Sequence, residues 1–151
     1  MTNGKTMAIS SGGGHWVQLL RLRPAFDDLD VVYVSVDPTL TVDVPGRRLR
    51  TVRDATRKNK LGLVILAVQV LGLLIRERPA VVITTGAAPG LIALILAKYL
   101  LGSRTIWIDS IANGERLSGS GRQAGRFADV WLTQWPHLAG SAGPQFWGAV
   151  L

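Results

Sequence analysis

The chain has 151 residues, a formal charge of +7, 48% hydrophobic residues and no cysteine. That length holds one ordinary core and no composition shift marks a second, so residues 1–151 are read as one domain. Without cysteine there is no disulfide or thiolate metal site, and neither His15 nor His137 has a carboxylate near it in sequence, which argues against zinc; no cofactor is expected.

At the N-terminus, Lys5 is followed by too short an apolar run for a signal peptide, and the chain is expected to stay in the cytoplasm. Met7, Ala8 and Ile9 read instead as a strand, leading into Ser10-Ser11-Gly12-Gly13-Gly14-His15-Trp16 and apolar residues at helical spacing, Trp16, Leu19 and Leu20, with Phe26 further on. Strand, glycine turn and helix form a site for an anion: the glycines allow a close backbone approach, and the helix start offers free N–H groups. A phosphate is the natural occupant, and His15 is the one side chain there that exchanges a proton near neutral pH. A dinucleotide fingerprint fails at Val17, although Asp37 imitates its ribose acid, and a Walker loop fails because Gly14 precedes His15 and Trp16. A plain helix-entry turn with an exposed histidine is the alternative.

Residues 31–36 are β-branched and bounded by Asp30 and Asp37-Pro38, as in a strand covered on both faces. Residues 38–60 read as irregular, with Pro45-Gly46 as a turn and 48–52 as a short edge strand. This stretch concentrates Arg47, Arg48, Arg50, Arg53, Arg57, Lys58 and Lys60 against the single acid Asp54. Then come Leu61, Leu63, Val64, Leu66 and the rest of an apolar run to residue 75, broken only by Gln69. At about 1.5 Å per residue the run spans roughly 22 Å, short of the roughly 30 Å needed to cross a bilayer. Basic residues beside a helix that is apolar all round suit a segment lying on anionic lipid, and a buried crossover helix is the alternative.

Residues 80–85 form another buried strand, ending at Gly86-Ala87-Ala88-Pro89-Gly90, a small-residue turn able to admit a ligand. A second apolar helix follows over 91–101, with Lys98 snorkelling and Gly102 as its stop. Strand 104–108 places Asp109 and Ser110 at its C-terminal end, where ligands of doubly wound sheets gather. Residues 111–125, with Asn113, Glu115, Arg116, Ser118, Gly119, Ser120 and Arg122, offer groups that can hold phosphate or sugar, although a surface loop is the simpler reading. A last strand covers 128–133, closed by Gln134-Trp135-Pro136, and the tail from 139 lacks periodicity. Nucleic acid is disfavoured as the partner, since no recognition motif is present and the aromatics are not interleaved with the basic cluster.

The order of Ser11-Gly12-Gly13-Gly14-His15, Thr84-Thr85-Gly86, Asp109-Ser110, Leu117-Ser118-Gly119 and Gln134-Trp135-Pro136 resembles the membrane-associated subunits of two-part glycosyltransferases. These are the PssD-type exopolysaccharide proteins and the eukaryotic relatives that help add the second N-acetylglucosamine to a dolichol-linked sugar. The resemblance implies an α/β Rossmann-like parallel sheet with helices on both faces, the N-terminal, acceptor-binding half of a GT-B enzyme such as MurG. It further implies a PssE-type donor-binding partner that holds a UDP-sugar, a polyprenyl-diphosphate-linked saccharide as acceptor, and residence at the cytoplasmic face of the inner membrane. Gly12, Gly13, Gly14 and His15 would then face the acceptor diphosphate, with Ser11, Gly86 and Ser110 nearby. Asp109 would stand near the cleft, and Ser118, Gly119, Ser120 and Arg122 would line it. The sequence lacks the long N-terminal membrane helix of the eukaryotic relatives, so lipid contact is expected from Arg57, Lys58, Lys60 and the two apolar helices. An inverting transfer needs a base on the acceptor hydroxyl; His15 or Asp109 would supply it, and His15 is preferred because a carboxylate at a strand end can equally orient a sugar hydroxyl.

Overall fold

A computed structural model describes residues 4–150. Seven strands, all parallel, form one sheet in the order β3-β2-β1-β4-β5-β6-β7. They are β1 (Thr6–Ile9), β2 (Val31–Ser35), β3 (Arg48–Thr51), β4 (Val81–Thr84), β5 (Arg104–Ile108), β6 (Val130–Thr133) and β7 (Gln145–Phe146). The helices are α1 (Gly14–Arg21), α2 (Lys60–Glu77), α3 (Ala87–Leu96), which continues as a π turn over Ala97–Leu101, and α4 (Gly119–Ala124). This is the expected Rossmann-like architecture. The chain order reverses between β1 and β4, and the matched register of Ile9 with Val34 and with Thr84 ends β1, β2 and β4 at one level.

Alternation along each central strand fills two cores. Met7, Ile9, Val32, Val34, Val82 and Trp107 point to the face covered by α2, α3 and α4, whereas Ala8, Val31, Tyr33, Ile83 and Ile108 point to the face covered by α1. On the α1 side, Tyr33 packs edge-on to Trp16 and Phe26 at centroid separations of 6.0 and 6.4 Å.

Helix α2 matches the apolar run but is not lipid-facing all round. Gly62, Leu66, Val70, Leu74 and Glu77 form one buried face, while Leu61, Val64, Val68 and Ile75 stand exposed. Leu66, expected to touch lipid, is therefore corrected to a core residue, and Leu63 is half-buried. Among the described residues, no helix is long and apolar enough to cross a membrane. Residues 111–125 are more ordered than a surface loop, because the Ser118 hydroxyl accepts from Gly121 N–H and starts α4. The tail adds the short strand β7, paired with β6.

At the opposite end of the sheet from the cleft, Glu77 is 5% exposed and gathers Lys5 Nζ at 2.8 Å, Arg50 Nε at 3.3 Å and Arg48 Nη1 at 3.4 Å. The hydrogen bond from Lys5 outweighs burial and holds the carboxyl below the usual glutamate range, with the charges of Lys5 and Arg48 and the bond from Arg50 adding to it. A carboxyl depressed in the folded state stabilises above its unfolded value of about 4.3, and that contribution is lost as pH falls through the folded value. Glu77→Gln is expected to cost about 1–3 kcal/mol at neutral pH and to flatten the acid limb of stability against pH, both read from urea unfolding midpoints across the acid range.

Candidate functional site at the sheet switch point

Ligands of open α/β sheets bind beyond the strand C-termini where the order reverses. Here the turn after β1 meets the turn after β4 at that point. His15 Nδ1 lies 2.9 Å from the Thr85 carbonyl, and the Thr85 hydroxyl donates to the His15 carbonyl at 2.7 Å. Because a carbonyl only accepts, Nδ1 carries the proton in this pair, and Nε2 keeps its lone pair in the neutral ring.

Two glycines make this approach possible. A Cβ on Gly86 would stand 2.7 Å from His15 Nδ1 and Cε1, and its φ of +132° suits only glycine. Gly13, the residue before α1, has φ 63° and ψ −138°. Gly14 has open space around it, and at Gly12 a Cβ would only touch Val36 at 3.8 Å, so neither requires glycine for room. Ala87, next to Gly86, also takes a positive φ of 67°, a strained position for a residue with a side chain.

A cleft of about 400 Å³ opens over this junction, with His15, Arg57, Ala87, Ser110, Asn113 and Ser120 in its wall and no acidic residue among those lining it. Helices α1 and α3 both begin here without a side-chain cap, whereas Asn59 caps α2 and Ser118 caps α4. Two uncapped helix starts and one guanidinium make an anion-favouring floor. The Arg57 guanidinium reaches Ser120 Oγ at 3.5 Å and lies where a Cβ on Gly119 would come within 2.9 Å of it. Arg57, expected on the lipid side, is thus in the wall of the cleft, while the neighbouring Lys58 and Lys60 are exposed at the start of α2.

Asp109 is 2% exposed. Its Oδ1 accepts from Trp107 Nε1 at 3.2 Å and Ser118 Oγ at 2.7 Å, and its Oδ2 from Ser118 N at 3.0 Å and Asn113 Nδ2 at 3.3 Å. A carboxylate has about four lone-pair positions, and all are engaged, three by Asn113 and Ser118, which holds residues 113–118 against β5, and one by Trp107 of β5 itself. Ser110 is tied to the Gln18 amide at 3.0 Å, and Gln18 in turn accepts from Ile111 N and Gln134 Nε2. Ser11 is half-buried and donates to the Gly12 carbonyl at 3.4 Å. Arg122 turns away to the Leu117 carbonyl at 2.9 Å and is not in the cleft wall.

The structure therefore brings His15, Ser110, Ser118, Gly119 and Ser120 together at the cleft, with Gly86 beneath the imidazole. Sequence reasoning missed Thr85 as the partner of His15, Gln18 and Gln134 as the buried strut, and Arg57 as a cleft residue. Gln18 carried a signal, a polar residue one position before the buried Leu19.

A Rossmann-like half with an anion-favouring cleft at its switch point is the class this geometry defines. The fold is that of the N-terminal half of MurG-like GT-B proteins: Acinetobacter baumannii MurG superimposes with a TM-score of 0.76 at 14% identity, over 98% of this chain and 46% of that one. A UDP-GlcNAc 2-epimerase from Neisseria meningitidis gives a TM-score of 0.64 at 10% identity, over 86% of this chain and 40% of that one. Residues 41–150 match the family described as "Oligosaccharide biosynthesis protein Alg14 like", and the chain belongs to that family. The UDP-N-acetylglucosamine transferase subunit ALG14 of Eremothecium gossypii is 36% identical over 66 residues, covering 40% of this chain and 30% of that protein.

Gly13→Ala is expected to lose about 1–3 kcal/mol, the cost of a side chain in a sparsely allowed conformation, whereas Gly14→Ala should fall within about 0.5 kcal/mol of the parent. Urea denaturation of the two variants side by side reads the difference.

Proposed function

We infer that this chain is the acceptor-binding half of an inverting glycosyltransferase, acting with a separate donor-binding subunit of PssE type. The donor is a UDP-sugar held by the partner, and the acceptor is a polyprenyl-diphosphate-linked saccharide used in exopolysaccharide synthesis at the cytoplasmic face of the inner membrane. The observation that carries the reading is the His15–Thr85 pair: a fixed imidazole tautomer with a free Nε2, set beside two uncapped helix starts and Arg57. Family membership and the shared GT-B half-fold support it, as does the likeness to the Eremothecium gossypii protein, a UDP-N-acetylglucosamine transferase subunit.

In this reading the diphosphate rests on the N-termini of α1 and α3 and on Arg57. His15 Nε2 takes the proton from the acceptor hydroxyl as that oxygen attacks the anomeric carbon of the donor, and the UDP leaves with the partner half. Asp109 positions the 113–118 segment and is not the base, because its carboxylate has no open lone pair. Lipid contact falls to the outward stripe of α2, where Leu61, Val64 and Val68 are 71%, 60% and 64% exposed, and to Tyr99 and Leu100 at the end of the second apolar helix. Lys58 and Lys60 add attraction to anionic headgroups, about 1 kcal/mol each near such a surface. The stripe begins at Leu61, four residues after Arg57, so a prenyl tail along α2 would bring its diphosphate to the cleft.

With the partner subunit present, His15→Ala is expected to lower turnover by about 10²–10⁴-fold while leaving folding intact. Near-normal turnover would remove His15 as base and favour a chain that only recruits the catalytic partner to the membrane. Val64→Asp with Val68→Asp is expected to abolish co-sedimentation with phosphatidylglycerol vesicles; unchanged binding would take the membrane contact away from α2.

A further inference from the structure

A second groove, of about 370 Å³, adjoins the cleft and shares Ala112 and Asn113 with it; Gly114, Glu115, Arg116 and Trp135 complete its wall. Its size lies within the range of small-molecule sites. Trp135 is fixed in place, since its Nε1 donates to the Ile111 carbonyl at 2.7 Å, and the backbone of Gly114 lies against the indole, where a Cβ would stand 3.2 Å from the ring. The His137 ring adds support from 5.8 Å and donates through Nε2 to the Gly114 carbonyl at 2.6 Å. Around this platform stand three planar polar groups. Among the described residues, Glu115 and Arg116, both exposed, enter no hydrogen bond or ion pair, and the Asn113 amide oxygen accepts no hydrogen bond.

We propose that this groove binds the sugar unit attached directly to the diphosphate of the acceptor. A pyranose has an apolar C–H face that lies on an electron-rich indole, and equatorial hydroxyls in adjacent pairs that match a carboxylate, a guanidinium or an amide. Glu115 and Arg116 leave the wall with no net charge, in contrast to the cleft, whose one charged lining residue is Arg57, so the neutral part of the substrate belongs here. The shared residue Asn113, anchored to Asp109, sets the offset between the diphosphate site and the sugar site. The inference rests on the reading of the cleft as the diphosphate site.

The test compares farnesyl diphosphate with farnesyl diphosphate bearing glucose or N-acetylglucosamine, titrated calorimetrically into the full chain. One of the glycosylated probes is expected to bind about tenfold more tightly than the bare diphosphate. Trp135→Ala and Arg116→Ala should each erase that gain while keeping the affinity for farnesyl diphosphate, which also reports that the variants are folded. In protein labelled with 5-fluorotryptophan, the Trp135 resonance, assigned through Trp135→Phe, should move with the glycosylated probe alone. Equal affinity for bare and glycosylated probes, or a Trp135 resonance unmoved at saturation, overturns the sugar site and leaves the diphosphate reading standing. No binding of any probe overturns both.

Discussion

Two reciprocal hydrogen bonds join the turn after β1 to the turn after β4, His15 Nδ1 to the Thr85 carbonyl and the Thr85 hydroxyl to the His15 carbonyl. They depend on β1 and β4 being neighbours in register although α1, β2, β3 and α2 lie between them in the chain. They also depend on Gly86, since any Cβ there would occupy the space of the imidazole. The sheet order, one glycine and one carbonyl thus determine which nitrogen of His15 faces the cleft.

Around that pair the remaining polar groups divide their tasks. Asp109 gathers Trp107, Asn113 and Ser118, and so converts a polar segment into a wall with a fixed position. The Gln18–Gln134 contact of 2.8 Å ties α1 to the end of β6, and Gln134 accepts from Val150 N–H at 2.9 Å, which fastens the tail to the same strut. Buried amides of this kind are stabilising only when every partner is present, and here each is satisfied.

Much of the fold was legible because β-branched runs bounded by Asp, Pro and Gly leave little alternative to buried parallel strands, as at Val31–Ser35 and Val81–Thr84. The orientation of α2 was not legible. Leu66 and Val64 are both apolar, and with only Gln69 to break the run no polar face distinguishes the side packed on the sheet from the side left outside. The glycine turn and His15 were visible as a candidate site, but their geometry comes from Thr85, 70 residues away. Arg57 belongs by sequence to a basic stretch next to an apolar helix. Only the folded chain brings its guanidinium to Ser120, 63 residues further on, and no local pattern encodes that approach. The start of α4 had a signal in Ser118, but Gly119, Ser120 and Gly121 are weak helix formers and masked it.

The positive φ of Ala87 has a consequence for how this domain tolerates change. A methyl-bearing residue held in a left-handed conformation beside the imidazole costs roughly 1 kcal/mol or more that glycine would not. Ala87→Gly would relieve that tension in the folded state while giving the backbone at the mouth of α3 more freedom. Selection for thermal robustness at this position would therefore work against a rigid floor of the cleft.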